Sequence, residues 1–206
     1  MEIHFQQAGR RFPGQIVFQN LDLKIEEGSR WAILGGNGSG KSTFLKTAFG
    51  ALSLSEGKVQ HFQNGKALSL QSAALQIAYA APYFELIEEL SVLNFLEKAA
   101  GFRKFKSTYS PKTVLERALL KDAAQKKIRN LSSGMKQRLR LCLALLSESD
   151  FLILDEPTSN LDKAGAEWFR ELLETELENR SLLIGTNFNE DEGFLCEQQL
   201  RITDYQ

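Results

Sequence analysis

The chain has 206 residues, 43% of them apolar and 25% charged, with a formal net charge of −1. That length supports one globular unit with a substantial core, and the near-neutral balance excludes a global basic field that would recruit nucleic acid or a lipid surface. No apolar run approaches the roughly 20 residues of a membrane span, and Met1-Glu2-Ile3-His4-Phe5 lacks the basic-then-apolar pattern of a signal peptide. Residues 2–34 read as β-rich: Ile3 and Phe5 alternate with polar residues, and Leu21, Leu23 and Ile25 alternate with Asp22, Lys24 and Glu26. Phe12-Pro13-Gly14 is a turn signal carrying an aromatic. Residues 31–34 form a short buried strand. Residues 44–49 continue as helix, with Leu45, Ala48, Phe49 and Leu52 at helical spacing.

Ser55-Glu56-Gly57 predicts a turn, residues 58–62 a strand, and Asn64-Gly65 a hairpin turn. Residues 75–81 read as a further strand, ended by Pro82. Residues 91–129 read as mostly helical, with Ser91 and Ser110-Pro111 as start signals. Arg103, Lys104 and Lys106 are expected as a solvated basic face in the linking loop. An amphipathic helix follows, with Met135, Leu139, Cys142, Leu143 and Leu146 on one face. Residues 151–154 are an apolar strand that ends at Asp155-Glu156-Pro157. Ser159-Asn160-Leu161-Asp162 reads as a loop and helix cap, 163–178 as helix, and 181–185 as a last buried strand ending at Thr186-Asn187. Cys142 and Cys196 lack metal-ligand spacing and are expected as reduced packing residues.

The stretch with the most chemistry is Gly35-Gly36-Asn37-Gly38-Ser39-Gly40-Lys41-Ser42-Thr43. It fits G-x-x-x-x-G-K-[ST] between a strand and a helix, the context a phosphate-binding loop requires. The glycines let successive N–H groups converge into an anion nest at a helix N-terminus. Lys41 adds a cation for the β- and γ-phosphates, and the Ser42 hydroxyl is placed to ligate Mg²⁺.

Together with Leu131-Ser132-Ser133-Gly134-Met135-Lys136-Gln137-Arg138 and residues 151–156, this loop resembles the ATP-binding-cassette (ABC) family over about residues 12–187. The resemblance implies an α/β P-loop NTPase fold. A mainly parallel core sheet is flanked by helices, with an antiparallel β lobe and a helical subdomain at about residues 82–145 inserted into one domain spanning 1–206. It implies nucleotide contacts from Phe12, stacked on adenine, and from Gly35, Asn37, Gly38, Ser39, Gly40, Lys41, Ser42 and Thr43. Asp155 would hold Mg²⁺ with Ser42, and Glu156 would polarise the attacking water. Ser132, Ser133 and Gly134 would meet the γ-phosphate held by a second cassette, in a head-to-tail homodimer or a heterodimer formed on ATP. Ser133 and Met135 depart from the family's usual residues there. Asp162 would couple the two sites, and is equally a good N-cap.

Two further positions depart from the family pattern. Pro82 stands where a glutamine is usual, and Asn187 stands at the switch histidine. Asparagine can hydrogen-bond a phosphate oxygen but carries no charge, so Asn187 is expected in the catalytic set of a slow ATPase. A competing expectation has its amide oriented by Glu190 or Asp191. The implied function is the ATP-binding and ATP-hydrolysing subunit of an ABC membrane transporter, of a small exporter type similar to haem-exporter ATPases of cytochrome c maturation. It would use ATP and Mg²⁺ and would be cytoplasmic, peripheral on the inner face of the cell membrane. Separate transmembrane subunits would hold it there, contacted by Tyr83, Phe84 and Leu86, with no nucleic-acid partner. No C-terminal regulatory domain is expected. The alternatives are a nucleotide-gated regulatory module with little turnover, and a soluble cassette ATPase unlinked to transport.

Overall fold

The structure, a computed structural model, describes residues 1–187 and 190–206, and of Glu190 and Asp191 the backbone alone. It comprises two compact units. One contains Met1–Tyr79, Ser149–Glu156 and Asn179–Gln206; the other contains Ala80–Glu148 and Pro157–Glu178.

The first unit opens with strands Glu2–Phe12 (β1) and Gln15–Ile25 (β2), an antiparallel hairpin that pairs Phe12 with Gln15 and Ile3 with Ile25. The pleat puts Ile3 and Phe5 on one face, and both are buried. Arg30–Leu34 (β3) leads into the helix Lys41–Phe49 (α1). Glu56–Gln63 (β4) pairs with β1, and Lys66–Ala67 (β5) returns across the Asn64-Gly65 turn. The order of this antiparallel sheet is β2-β1-β4-β5. The turn expected at Ser55-Glu56-Gly57 is instead the start of β4. Glu56 pairs with Gly9, and a bulge in β1 opposes Gln7 and Ala8 to Gly57, which bends the ladder there without ending it.

Residues 75 and 76 do not open a strand. They close the helix Leu70–Gln76 (α2), because the Ser69 hydroxyl caps it, accepting from the Ser72 N–H at 3.1 Å. Ile77–Ala80 (β6) then begins a second sheet with Phe151–Asp155 (β7), Ser181–Thr186 (β8) and Gln198–Arg201 (β9), in the order β6-β7-β8-β3-β9. The pairs β7–β8, β8–β3 and β3–β9 are parallel. Every residue of β7 and β8 is buried, as the uninterrupted apolar runs of a parallel sheet require. Phe44 of α1 stacks on Phe5 at 4.9 Å and meets Phe18 edge-on at 5.9 Å. This aromatic cluster ties α1 to the antiparallel sheet. The loop between β3 and α1 therefore sits at the carboxyl end of a parallel strand, where open α/β sheets bind ligands.

The second unit is helical: Val92–Phe102 (α3), Pro111–Arg117 (α4), Ser133–Leu145 (α5) and Lys163–Glu176 (α6). The side chains of Ser91, Ser110, Ser132 and Asp162 cap them in turn. The stretch 91–129 is thus two α-helices and two short 3₁₀ turns, Lys121–Ala123 and Ile128–Asn130. The Ser110 capping box with Pro111 forces a fresh helix start, so no continuous helix crosses it. The basic face expected in the loop before α4 is not uniformly solvated. Arg103 is half-buried, and Lys106 pairs with Glu176 at 3.2 Å and with Glu178 at 2.8 Å.

Candidate functional site

β3 is buried at Ala32, Ile33 and Leu34, where it ends, and the chain turns from Gly35 toward α1. Gly40, the N-cap residue of α1, takes φ 104°, and a Cβ there would come 2.4 Å from Val17 Cγ1. Only glycine fits. No side chain caps α1 and no acid sits in its first turn, so its positive end is left to a ligand. At that end lies a cleft of about 410 Å³, lined by Phe12, Gln15, Val17, residues 37–43 and Glu156. The phosphate-loop residues Asn37, Gly38, Ser39, Gly40, Lys41, Ser42 and Thr43 are thus brought together with Phe12 and Glu156; Gly35 precedes them at the end of β3.

Lys41 is 3% exposed. Its ammonium donates to Asn187 Oδ1 at 2.6 Å, Gly35 O at 2.8 Å and Gly36 O at 3.1 Å, and Glu156 Oε1 lies 3.4 Å away. Asn187 in turn donates from Nδ2 to Asn37 Oδ1 at 2.7 Å. The partners of Asn187 are therefore Lys41 and Asn37; the side chains of Glu190 and Asp191 lie outside the described residues. Glu156 has φ 45°, the left-handed region, which costs a non-glycine residue about 1 kcal/mol or more. Its N–H is fixed to Gly185 O at 2.9 Å. This bend turns the Glu156 carboxylate off the line of β7 toward the cleft, while Asp155 stays buried at the strand's end.

The hydroxyl of Ser42 on the cleft wall and the Asp155 carboxylate are hard oxygen donors. That set suits Mg²⁺, which takes few protein ligands and completes its shell with phosphate and water. Among the described residues no cluster of three or more His, Cys, Asp or Glu offers an all-protein cage. Phe12 is 41% exposed, with the Arg10 guanidinium 4.5 Å from its ring centroid. Gln15 and Val17 also line the cleft, and Gln206 Nε2 donates to Ser39 O at 3.1 Å. Sequence reading missed Gln15 and Val17, because only the hairpin register brings them there.

In the second unit, Ser132 is exposed and accepts from the Met135 N–H at 3.2 Å, capping α5 beside Ser133 and Gly134. A Cβ on Gly134 would lie 3.0 Å from Asn160 O. Asp162 accepts from the Gly165 N–H at 2.8 Å. Gln137 was expected on no apolar face, yet it is fully buried and donates to Pro157 O at 2.9 Å. Tyr83, Phe84 and Leu86 line a groove of about 370 Å³ with Glu85, Glu88, Lys136 and Arg140. Both cysteines are free thiols. Burial pushes Cys142 far up and Cys196 up to about 12, so neither has nucleophilic character.

A glycine-rich loop between β3 and α1, with the acid pair of β7 two strands away in the same sheet, defines a P-loop nucleotide-binding protein. The chain belongs to the ABC transporter family, whose profile matches residues 18–159. It is 28% identical over 198 residues to the Nod factor export ATP-binding protein I of Cupriavidus metallidurans, covering 94% of this chain and 65% of that one. It is 33% identical over 197 residues to the protein of that name from Rhizobium johnstonii, covering 93% and 63%. The uncharacterized ABC transporter ATP-binding protein YdbJ of Bacillus subtilis is 28% identical, covering 97% and 66%. The chain thus spans just under two thirds of the length of these curated relatives.

The ATP-binding cassette MJ0796, solved as a dimer in a post-hydrolysis state with ADP and Pi, shares the fold. It is 24% identical with a TM-score of 0.81, covering 98% of this chain and 95% of that one. CbiO1 from Clostridium perfringens, part of the ABC transporter complex cbiONQ, is 25% identical with a TM-score of 0.73, covering 98% and 85%. The α/β cassette fold expected from the motifs is the fold found.

Proposed function

We propose that this chain binds ATP·Mg²⁺ and hydrolyses it slowly, powering a membrane transporter through separate transmembrane subunits. The observation that carries this is the convergence of Lys41, the uncapped start of α1 and the left-handed Glu156 on one cleft. Mg²⁺ held by Ser42 and Asp155 would neutralise charge on the β- and γ-phosphates. The loop N–H groups and Lys41 bind the same phosphates, and Phe12 offers its ring to the base. Glu156, 30% exposed and aimed into the cleft, orients the attacking water. Asn187 contributes a neutral donor where a charged one would bind roughly twice as strongly. A deficit of about 1.4 kcal/mol in transition-state stabilisation slows turnover tenfold.

Ser132, Ser133 and Gly134, at the exposed start of α5, form the second anion site of a head-to-tail sandwich with another cassette. No helix among the described residues is long and apolar enough to cross a membrane, which fits a peripheral subunit held at the inner face by its partner. The single-domain reading with an inserted helical subdomain fits the helical unit at Ala80–Glu148, which also takes in Pro157–Glu178. Pro82 and Asn187 favour a second reading, a nucleotide-gated regulatory module with little turnover.

Steady-state ATPase assays and calorimetry separate the two readings. Glu156→Gln is expected to lose about 100-fold or more in turnover while keeping ATP affinity and forming an ATP-dependent dimer on light scattering. Lys41→Ala is expected to lose ATP binding. Wild-type turnover no faster than that of Glu156→Gln would favour the regulatory module, and undiminished ATP affinity in Lys41→Ala would overturn the assignment of the cleft.

A further inference from the structure

We propose that Asn187 is a positioning residue that holds Lys41 before nucleotide binds and turns its amide over when nucleotide arrives. Phosphate binding and release of the lysine are then one event. The proposal rests on the nucleotide-binding reading above and goes beyond it in assigning a cost to breaking the Lys41–Asn187 hydrogen bond.

An ammonium group has three donors and no acceptor. Here three oxygens within 3.1 Å take them: Gly35 O, Gly36 O and Asn187 Oδ1. The lysine's hydrogen bonds are therefore filled by the protein itself, with Glu156 Oε1 at 3.4 Å as a further counter-charge. The other end of the same amide is also engaged, Asn187 Nδ2 donating to Asn37 Oδ1 at 2.7 Å. Lys41 can face only the oxygen of Asn187 and the Asn37 oxygen only its nitrogen, so the two hydrogen bonds fix a single orientation.

A phosphate oxygen accepts and cannot donate, so it needs one of the Lys41 donors. Gly35 and Gly36 offer backbone carbonyls that are part of the loop itself. Asn187 is the partner that can leave by rotating a side chain. If Oδ1 stayed in place it would set an acceptor against the incoming anion. A half turn about χ2 withdraws the oxygen from Lys41 and presents Nδ2 to the phosphate, and the Asn37 amide turns with it so that its own Nδ2 donates to the relocated oxygen. One side chain is then an acceptor for Lys41 before nucleotide binds and a donor to the nucleotide afterwards. The hydrogen bond to Lys41 opposes the binding of any nucleotide. The later hydrogen bond from Nδ2 helps only a nucleotide whose terminal phosphate reaches Asn187. Asn187 thereby biases the site toward ATP over ADP.

Calorimetric titration of the full chain with ADP·Mg²⁺ and with a non-hydrolysable ATP analogue tests this in wild type, Asn187→Ala and Asn187→Ser. Serine is too short to bridge to Lys41 and serves as the second variant should alanine fail to fold, with melting temperature measured for each. Loss of the hydrogen bond to Lys41 is expected to tighten ADP about fivefold, the size of one net hydrogen bond. The ATP analogue is expected to gain less, so the preference for ATP narrows. A residue that merely donates to the γ-phosphate would weaken the analogue and leave ADP unchanged. Unchanged or weaker ADP binding in the folded variants overturns the proposal. Failure of the wild type to bind either nucleotide overturns the nucleotide reading, and the proposal with it.

Discussion

His61 shows at the scale of one residue how burial becomes a pH dependence. It is 3% exposed in β4, and its Nε2 lies 2.7 Å from Ala48 O, to which the neutral imidazole donates. Burial pushes its pKa below the usual 6.5, and the hydrogen bond to Ala48 only partly opposes that. The unfolded chain therefore takes up a proton near pH 6.5 while the folded chain still resists it. The stability held above that pH is lost as the pH falls through the lower folded value. His61→Gln keeps a donor for Ala48 and removes the titration. Calorimetric melting at about pH 7.5 and about pH 5.5, within the range where histidine switches, is expected to show a larger acid loss in wild type than in the variant. Equal losses would place the acid sensitivity elsewhere. The place of position 61 in a strand over residues 58–62 was legible in the sequence. Its burial was not, because that depends on what packs over β4.

At the scale of elements, the helical unit is tied together by one carboxylate. Glu176, at the end of α6, is 3% exposed. It accepts from Lys106 Nζ at 3.2 Å, from Arg117 Nη2 at 3.1 Å and from the Tyr109 hydroxyl. Lys106 also reaches the Glu176 carbonyl at 2.8 Å, and Trp168 Nε1 donates to Arg117 O at 3.0 Å. Burial and the neighbouring Glu176 carboxylate push the Tyr109 phenol up to about 12, so it remains a donor. The loop before α4, the end of α4 and the end of α6 therefore close on a single acceptor. Removing one partner from such a group leaves buried charge uncompensated. Glu176→Ala is expected to lower urea-unfolding stability by about 3 kcal/mol. Glu176→Gln, which keeps an acceptor oxygen, is expected to cost less. A loss within about 0.5 kcal/mol of zero for alanine, the range of ordinary surface changes, would show the cluster to be solvated.

For the whole molecule, the question is where a membrane partner would grip it. The groove at Tyr83, Phe84 and Leu86 is the surface we assign, with Lys136 paired to Glu88 at 2.6 Å along it. Leu86 is 9% exposed and packs inward, so the docking role we propose falls to Tyr83, Phe84 and the exposed Ile87. Arg140 Nε donates to the Phe84 carbonyl at 2.7 Å, which holds the loop's backbone whatever side chain stands there. Phe84→Ala is therefore expected to weaken co-purification with the transmembrane subunit. The isolated chain should melt within about 3 °C of wild type, the shift of a loss near 1 kcal/mol at this size. Intact co-purification with a larger melting drop would make Phe84 a core residue.

The sequence by itself determined what contiguous residues can determine. The phosphate loop, the serine start of α5 and the acid pair at the end of β7 each sit within a few residues, so their geometry follows from local backbone preference and was legible as motif. The same holds for the helix starts at Ser91, Ser110 and Asp162, whereas the Ser69 cap went unread. The tertiary structure decided whatever spans the chain. Lys41 meets Asn187 across 146 positions, and Lys106 meets Glu176 across 70. Gln15 and Val17 reach the cleft through a hairpin register, and β9 enters the core sheet beside β3. A strand shifted by one residue turns its side chains to the other face, and a parallel pairing joins segments that share no local signal. Those contacts are set by topology and packing, and a one-dimensional pattern holds no record of either.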